Sequence, residues 1–375
     1  MTPASAHHDP AKDRVNIGAT CANPGGAGIV ESNKLRKLFV TGGAGFIGSA
    51  FVRLVLEELP HCEVVNFDTL TYAGNLENLA GLDESRHRFI HGDICDRDAV
   101  LAALDEGTEA IVNFAAESHV DRSIHSAHEF INTNVLGTQV LLDAARERGV
   151  SRFLQVSTDE VMGSLPENDE VFFTEDSPFQ PNSPYAASKA SAEQLVRAAH
   201  HTFGLDTLIT RCGNNYGPRQ FPEKFLPLML ANALNDEPIP VYGDGQNVRD
   251  WIYVEDHCRA VLTLLEQGRS GGTYNIGARN ERHNIDVAHS VLDALGKPRS
   301  LIRFVKDRPG HDRRYAIDPR LIEREFGWHP RETWESGLHK TINWYRDNTG
   351  WLDRVRSGAY REYYSRQYGV EAGAH

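Results

Sequence analysis

Two carboxylates stand side by side where a buried strand is expected to end. Residues 153–156 are apolar except for Gln155, Ser157 and Thr158 follow them, and Asp159 and Glu160 come next. Neighbouring acids with unequal burial acquire different pKa values, so one can donate a proton while the other accepts one. The pair is therefore a candidate for combined acid and base catalysis. Taken alone, the segment could also be a helix cap or a turn with solvated acids.

A tyrosine and a lysine, Tyr185 and Lys189, lie four residues apart and so share one face of a predicted helix. A phenol with a pKa of about 10 is a poor base at neutral pH. A nearby ammonium group and the positive charge of an oxidised nicotinamide would lower that pKa. Thr158, at the end of a predicted strand, would position a substrate hydroxyl for hydride transfer. An ordinary amphipathic helix that carries both residues is the alternative.

The segment "TGGAGFIGS", residues 41–49, follows the first predicted strand and opens the first predicted helix. Gly42 and Gly43 would allow a tight turn. Gly45 would let the backbone approach a pyrophosphate, and Gly48 would let the helix pack closely on the sheet. The free amides and the positive dipole end of the helix would bind the phosphates. The sequence therefore predicts a dinucleotide site rather than a plain glycine turn.

An acid at the end of the second predicted strand indicates which dinucleotide is bound. Asp68 comes 20 residues after Gly48 and can accept hydrogen bonds from both ribose hydroxyls of an adenosine. A carboxylate there would repel a 2′-phosphate, so the sequence favours NAD over NADP. Asp93, at the end of the third predicted strand, could contact adenine or could equally cap its own loop.

Alternating strand and helix patterns must position these residues. Five short apolar or β-branched runs predict an α/β fold with a Rossmann-type doubly wound parallel sheet: residues 37–40, 63–67, 87–92, 110–116 and 152–157. The irregular pattern beyond about residue 215 predicts a smaller C-terminal substrate-binding lobe. We expect a flexible tail over 1–34, a mainly NAD-binding domain with the catalytic residues over 35–215, a mainly substrate-binding lobe with some return to the sheet over 216–350, and a C-terminal extension over 351–375.

Composition argues against several classes of protein. A formal charge of −13 argues against a surface that wraps nucleic acid. No apolar run approaches the roughly 18 residues that span a membrane. The five cysteines are widely spaced and lack a CxxC pair, which indicates reduced thiols and a cytoplasmic location. His119, His125 and His128 match no familiar ligand spacing, so no metal is predicted.

The glycine loop, Thr158, Tyr185 and Lys189 resemble the extended short-chain dehydrogenase/reductase superfamily. Between about residue 36 and residue 344, longer segments resemble the dTDP-glucose 4,6-dehydratase family: "AAESHVDRSI" (115–124), "STDEV" (157–161), "NNYGPRQFPEK" (214–224), "VRDWIYVEDH" (248–257), "YNIG" (274–277) and "DRPGHDRRYAID" (307–318).

The chain departs from this family's pattern at two positions. The family usually has a tyrosine where this chain has Met162, and a serine or threonine where it has Gly213. Loss of an aromatic side chain beside the carboxylates could change the sugar preference or the rate.

The resemblance implies a sugar-nucleotide dehydratase that makes a 4-keto-6-deoxy sugar, with dTDP-glucose as the favoured substrate. NAD would oxidise C4, water would leave across C5 and C6, and hydride would return to C6. Tyr185 would take the C4 hydroxyl proton, Glu160 would take the C5 proton, and Asp159 would protonate the departing C6 hydroxyl. The enzyme would be a homodimer, paired through helices that begin near Ser123 and Pro184.

The resemblance also assigns expected roles at matching positions. The reacting groups would be Thr158, Asp159, Glu160, Tyr185 and Lys189. The cofactor site would comprise Gly42, Gly45, Phe46, Ile47, Gly48, Asp68, Asp93, Ile94, Ala115, Ala116, Asn134, Tyr185, Lys189 and Asn215. The substrate would contact Ser118, His119, Thr158, Asn214, Lys224, Phe225, Pro240, Tyr242, Arg249, Asn284, Asp307, Arg308 and His311. A sugar-nucleotide 4-epimerase, which has no use for the acid pair, and a non-catalytic NAD-binding protein are the alternatives.

Overall fold

The computed structural model describes residues 35–167 and 170–357. The tail predicted over residues 1–34 lies outside them, as does most of the predicted C-terminal extension. Within these stretches no helix is both long enough and apolar enough to cross a membrane.

Twelve strands lie within the described stretches. The first five match the five predicted strands to within three residues at either end, which confirms that part of the prediction. In chain order the strands are β1 (Lys37–Thr41), β2 (Glu63–Asp68), β3 (His87–His91), β4 (Ala110–Asn113), β5 (Arg152–Thr158), β6 (Thr207–Cys212), β7 (Asn214–Tyr216), β8 (Ile239–Tyr242), β9 (Val248–Tyr253), β10 (Gly272–Ile276), β11 (Glu281–His283) and β12 (Ile302–Val305).

Helices separate most of these strands. The helix expected to begin near Ser123 begins at Val120 and ends before Ser126. A π-helical segment, Ile131–Gly137, directly precedes the helix that begins at Thr138. In chain order the described helices are α1 (Phe46–Glu58), α2 (Arg97–Ala103), α3 (Val120–His125), α4 (Ala127–Phe130), α5 (Thr138–Arg148), α6 (Pro184–Phe203), α7 (Phe225–Leu234), α8 (Val254–Gln267), α9 (Asn284–Leu295), α10 (Arg320–Phe326), α11 (Trp334–Asp347) and α12 (Thr349–Arg356).

A seven-stranded sheet forms the centre of the fold, in the order β10-β6-β5-β4-β1-β2-β3, and all neighbouring strands are parallel. The middle of β1, residues 38–40, is apolar without interruption because both faces of the sheet are covered. Leu38 and Val40 pack in one core cluster with α1 and α8, whereas Phe39 packs in another with α2 and α5. The predicted doubly wound parallel sheet is confirmed.

Smaller sheets build the C-terminal lobe. β9 lies between β7 and β11 in one sheet, and β8 pairs with β12 in the other. Their core includes an aromatic cluster in which Tyr216 contacts Trp251, Tyr253 and Trp334. β10 leaves the lobe and joins the edge of the central sheet beside β6. This arrangement brings the loops of the lobe to the carboxyl ends of the central strands.

Candidate active site

A cavity of about 480 Å³ opens at the carboxyl ends of the central strands and reaches the loops of the C-terminal lobe. It lies where the strand order reverses between β1 and β4, the place at which open α/β sheets bind ligands. All five predicted catalytic residues line it. So do the residues predicted to bind cofactor or substrate, except Asn134 and Asp307.

The glycine loop between β1 and α1 leaves no room for side chains. Gly42 has a φ of +68°, and a Cβ atom there would lie 2.6 Å from the Ala115 nitrogen. A Cβ atom on Gly48 would lie 2.2 Å from the Gly42 carbonyl oxygen. No described side chain caps the first turn of α1, so its amides are available to a pyrophosphate.

Asp68 supports this loop from the end of β2. Its buried carboxylate accepts hydrogen bonds from the backbone amides of Ala44 at 2.9 Å and Leu70 at 2.8 Å. Burial raises the pKa of Asp68, and the two amide hydrogen bonds oppose that rise. Carboxylate oxygens have further lone pairs, so Asp68 can hold the loop and still accept from a ribose. The glycine loop and this acid together fit NAD.

Two predicted cofactor residues have well-defined partners within the protein. Asp93 accepts a hydrogen bond from Cys95 N at 2.8 Å, so it caps its own loop while it also lines the cavity. The Asn134 side chain exchanges hydrogen bonds with the backbone of Glu117 and donates to Ser188 Oγ at 2.8 Å. Asn134 therefore fixes the loop after β4 against α6 from outside the cavity lining.

The start of α6 sets the positions of the tyrosine and the lysine. Ser183 caps the helix by accepting a hydrogen bond from Ala186 N at 3.1 Å, and Pro184 occupies the first turn. Tyr185 therefore lies in the first turn, with Lys189 one turn later, and both side chains are buried. Lys189 Nζ donates to the carbonyl oxygen of Val156 in β5 at 2.6 Å.

Burial has the largest effect on the pKa of Tyr185 in the protein without NAD. Burial raises it well above the ordinary value, and the nearby Glu160 raises it further, although a hydrogen bond with Thr158 opposes both effects. Burial also lowers the pKa of Lys189 to about 8, against the opposing influence of Glu193. The predicted lowering of the tyrosine pKa concerns the protein with oxidised nicotinamide bound, and it stays a prediction.

The acid pair forms a tight turn directly after β5. Thr158 Oγ1 accepts a hydrogen bond from Glu160 N at 3.3 Å and donates to Asp159 Oδ1 at 3.3 Å. Asp159 is buried, and its other oxygen, Oδ2, has no hydrogen-bond partner among the described residues. Thr158 therefore contacts the side chain of one acid and the backbone of the other.

Unequal surroundings separate the two acids. Burial, together with the charges of Glu160 and Asp250, raises the pKa of Asp159 well above its ordinary range. Burial also raises the pKa of Glu160, but the cations Arg308, Lys224 and Arg249 oppose this. The pKa of Asp159 is therefore raised more strongly than that of Glu160, so Asp159 is the acid of the pair that retains a proton more readily.

Two of these cations are held by backbone carbonyl groups. Lys224 Nζ donates to the Ser118 oxygen at 2.5 Å, and Arg249 Nη2 donates to the Asp312 oxygen at 2.9 Å. The Arg249 guanidinium also lies 4.2 Å from the centre of the Tyr315 ring. Fixed cations of this kind suit the diphosphate of a nucleotide in an otherwise acidic protein.

The third cation belongs to a polar cluster at the lobe. Arg308 Nη1 lies 3.5 Å from Asp121 Oδ1, and Asp121 Oδ2 accepts a hydrogen bond from the Tyr242 hydroxyl at 2.9 Å. His311 Nδ1 lies 2.6 Å from Asp307 Oδ1, and its ring packs edge-on against Tyr242. Burial and the neighbouring arginines lower the pKa of His311 to about 4. Asp307 thus orients a neutral His311 from outside the cavity lining.

The remaining predicted residues show two kinds of environment. Asn215 Oδ1 lies 2.9 Å from His257 Nδ1, and His119 Nε2 lies 3.3 Å from the Glu223 carbonyl oxygen. By contrast, the buried Asn284 Oδ1 has no hydrogen-bond partner within the described stretches. Such an atom is suited to a ligand donor. Among the described residues no three His, Cys, Asp or Glu side chains form a group that could hold a metal ion.

Met162 points away from the cavity. Its side chain is buried, and its sulfur lies 3.7 Å from Arg211 Nη1, whose Nη2 forms an ion pair with Glu193 at 2.8 Å. Because Met162 does not line the cavity, direct contact with the sugar does not explain an effect on sugar preference.

Several cavity-lining residues were not predicted, and three of them have charged or polar partners that matter to the site: Asp121, Glu223 and Tyr315. Glu223 is buried, which raises its pKa to about 7, and it pairs with Arg122 at 3.2 Å. All three stand inside the motifs that carry the family resemblance, and this was the available signal. Each of the three contacts a side chain that is distant in the sequence, and a local motif does not reveal such a contact.

Comparison with known proteins agrees with this geometry. The family model described as GDP-mannose 4,6 dehydratase matches residues 39–341. dTDP-glucose 4,6-dehydratase 1 of Escherichia coli strain K12 is 50% identical over 357 residues, with 88% of this chain and 99% of that protein covered. A dTDP-glucose 4,6-dehydratase of Xanthomonas campestris pv. campestris strain B100 is 52% identical over 343 residues, with 86% and 96% covered.

Solved structures extend the comparison. A dTDP-glucose 4,6-dehydratase of Streptomyces venezuelae, solved with NAD and dTDP bound, is 51% identical, with a TM-score of 0.82 and coverage of 85% of this chain and 99% of that one. A UDP-glucose 4-epimerase of Thermus thermophilus, solved with NAD, is 31% identical, with a TM-score of 0.77 and coverage of 83% and 99%. Dehydratase and epimerase structures therefore share this fold.

Proposed function

Because the chain belongs to the dTDP-glucose 4,6-dehydratase family, we propose that it converts dTDP-glucose to dTDP-4-keto-6-deoxyglucose with NAD as cofactor. One observation carries the chemical argument: Asp159 and Glu160 lie side by side in the cavity, and burial raises the pKa of Asp159 more strongly than that of Glu160, which faces three cations. Elimination of water across C5 and C6 needs one group that takes a proton and another that gives one.

The cofactor site fits NAD through the glycine loop and Asp68. Bound NAD supplies reversible hydride transfer, which oxidises C4 and later reduces C6. The α1 amides would bind its diphosphate, and the Asp68 carboxylate would accept from the adenosine ribose. Lys189, held by the Val156 carbonyl, would place a positive charge in the cavity that binds the cofactor.

Tyr185 and Thr158 would act at the C4 hydroxyl. Tyr185 has a strongly raised pKa in the protein alone, so its phenolate needs additional positive charge to form. The charge of oxidised nicotinamide adds to that of Lys189, and both favour the phenolate. Tyr185 would then accept the C4 hydroxyl proton, while Thr158 orients that hydroxyl.

Glu160 would remove the C5 proton once C4 is a ketone. Burial raises the pKa of its carboxyl group, but three cations oppose that rise and so help the carboxylate to form in a water-poor site. Asp159 would protonate the departing C6 hydroxyl. Its Oδ2 has no described hydrogen-bond partner and its protonated form is favoured, so it has a proton to give.

An epimerase is the second candidate because the Thermus enzyme shares the fold. Incubation with dTDP-, UDP-, GDP- and CDP-glucose, without added NAD, distinguishes the two activities. A product from dTDP-glucose that has lost one water is expected, since NAD is regenerated in each turnover and should remain bound through purification. A C4 epimer of unchanged mass would contradict the proposal, and so would activity that depends wholly on added NADP.

The pH dependence of kcat should be bell-shaped. Glu160 must be ionised, so activity should fall as the pH drops through its raised pKa. Asp159 must be protonated, and Lys189 has a pKa of about 8, so activity should also fall as the pH rises. Arg308→Gln removes a cation that lowers the Glu160 pKa, and the acidic limb should therefore move to higher pH. An acidic limb that stays in place at saturating substrate would contradict the assignment.

We further propose a homodimer formed through the segment from α3 to α5 and through α6. Ile131 and Leu136 are 54% and 50% exposed on this segment and Ile124 is 38% exposed, so three large apolar side chains are exposed between positions 124 and 136. Leu136→Glu should give a monomer by light scattering at micromolar concentration. Phe304→Glu, at an equally exposed position in β12, should leave the dimer intact. A monomeric unmodified protein would refute the dimer.

A cytoplasmic location remains a prediction. Four of the five cysteines, Cys62, Cys95, Cys212 and Cys258, are free thiols, and Cys21 lies outside the described residues. Free, mostly buried thiols are compatible with a reducing compartment.

A further inference from the structure

The C-terminal helix α12 contacts a short helical turn that follows β2 and is itself bonded to the glycine loop. Trp351 Nε1 donates a hydrogen bond to Asn78 Oδ1 at 3.2 Å, and both side chains are buried. Asn78 lies in the short helical turn Leu76–Leu79 that follows β2. Arg354, also in α12, forms two hydrogen bonds to the carboxylate of Glu77 in the same turn.

Asn78 connects this contact to the glycine loop. Its Nδ2 donates to the Ala44 carbonyl oxygen at 3.0 Å, and Asn75 N donates to the same oxygen at 3.0 Å. The amide nitrogen of Ala44 itself donates to Asp68 Oδ2 at 2.9 Å. Because a peptide unit is planar, fixing the Ala44 carbonyl also fixes the direction of the Gly45 N–H. That peptide immediately precedes the phosphate-binding end of α1.

We propose that Trp351 is a positioning residue of the NAD site, which orients Asn78 and through it the glycine loop, and thereby slows the release of NAD. The asparagine amide could otherwise rotate, and its buried oxygen would lose its partner. A cofactor that is regenerated in every turnover gains from slow release. The inference rests on NAD as the cofactor and is independent of the roles proposed for Asp159 and Glu160.

Release of NAD can be measured without catalysis. Full-length protein with bound NAD is mixed with an excess of isotopically labelled NAD, and the label bound after desalting is followed by mass spectrometry. Trp351→Phe keeps an aromatic ring in place but removes the N–H donor. We expect it to exchange NAD about tenfold faster than the unmodified protein, as loss of one buried hydrogen bond predicts.

Trp344→Phe is the matched control. The Trp344 ring lies in the same aromatic cluster, with its centre 5.0 Å from that of Trp351. Within the described part of the chain it forms no hydrogen bond with Asn78. This variant should exchange NAD within about twofold of the unmodified rate, even if both variants lower the melting temperature equally.

Asn78→Asp provides a second arm because it keeps the acceptor for Trp351 but replaces the donor to Ala44 with a carboxylate oxygen. It should also speed exchange, and adding Trp351→Phe should change the rate little further, since both act through one contact. An unmodified exchange rate in Trp351→Phe would overturn the proposal, and so would equally fast exchange in Trp344→Phe. Neither failure would affect the dehydratase assignment, because formation of the keto sugar is measured separately.

Discussion

Glu160→Gln is expected to stop exchange of the substrate C5 proton with solvent and to slow product formation by about 10²- to 10⁴-fold. Glutamine keeps the size and hydrogen-bonding capacity of the side chain but cannot take up a proton at this site. C5 exchange and loss of water should therefore fall together. Mass spectrometry of substrate and product after incubation in heavy water measures both quantities.

The surroundings of Glu160 explain why the loss should be large. Arg308, Lys224 and Arg249 all favour its ionised form. Glu160→Asp, which keeps the charge but shortens the side chain, should recover part of the activity. Rescue by this conservative variant would not be expected if Glu160 had only a structural role.

Glu175→Gln is a suitable control for the same chemical change. Glu175 lies outside the cavity, and its Oε1 accepts a hydrogen bond from Asn275 N at 3.0 Å, which a glutamine oxygen can also accept. Its activity should stay within about twofold of the unmodified protein. Undiminished C5 exchange in Glu160→Gln would show that another group is the base.

The first five strands of the central sheet were predicted because they are short apolar or β-branched runs, whereas β6 and β10, which complete the sheet, were not predicted as individual strands. The C-terminal lobe was predictable only as an irregular region. β7 and β11 have three residues each and pair through β9 with segments distant in the chain, so no local pattern marks them. The π-helical segment Ile131–Gly137 was missed because its residues also satisfy ordinary helical spacing.

Local motifs likewise predict much of the site. The glycine loop and the Tyr185–Lys189 spacing are short-range patterns, and the structure places them in one cavity. The pKa of Tyr185 was not predictable because burial is a property of the whole fold. Tyr315, stacked on Arg249, and Trp351, bonded to Asn78, depend on contacts between remote segments.

Asp159→Asn is expected to separate the two proton transfers. Oxidation at C4 and removal of the C5 proton do not use the Asp159 proton, so deuterium should still enter C5 from heavy water. Loss of the C6 hydroxyl should slow by about 10²- to 10⁴-fold because its general acid is absent. The ratio of C5 exchange to product formation should therefore rise in Asp159→Asn, whereas both rates fall in Glu160→Gln. Absence of C5 exchange in Asp159→Asn would show that the roles are assigned wrongly.

The acidic limb of the kcat profile gives an independent check on Asp159. Asparagine resembles the protonated, uncharged form of aspartate in shape and charge. If Asp159 is already protonated, as its raised pKa indicates, the substitution leaves the field at Glu160 almost unchanged, and the acidic limb should stay where it is. If Asp159 is ionised instead, removal of its charge lowers the Glu160 pKa, and the limb should move to lower pH. Such a shift would show that the neighbour of Glu160 carries a charge and cannot be the proton donor at C6.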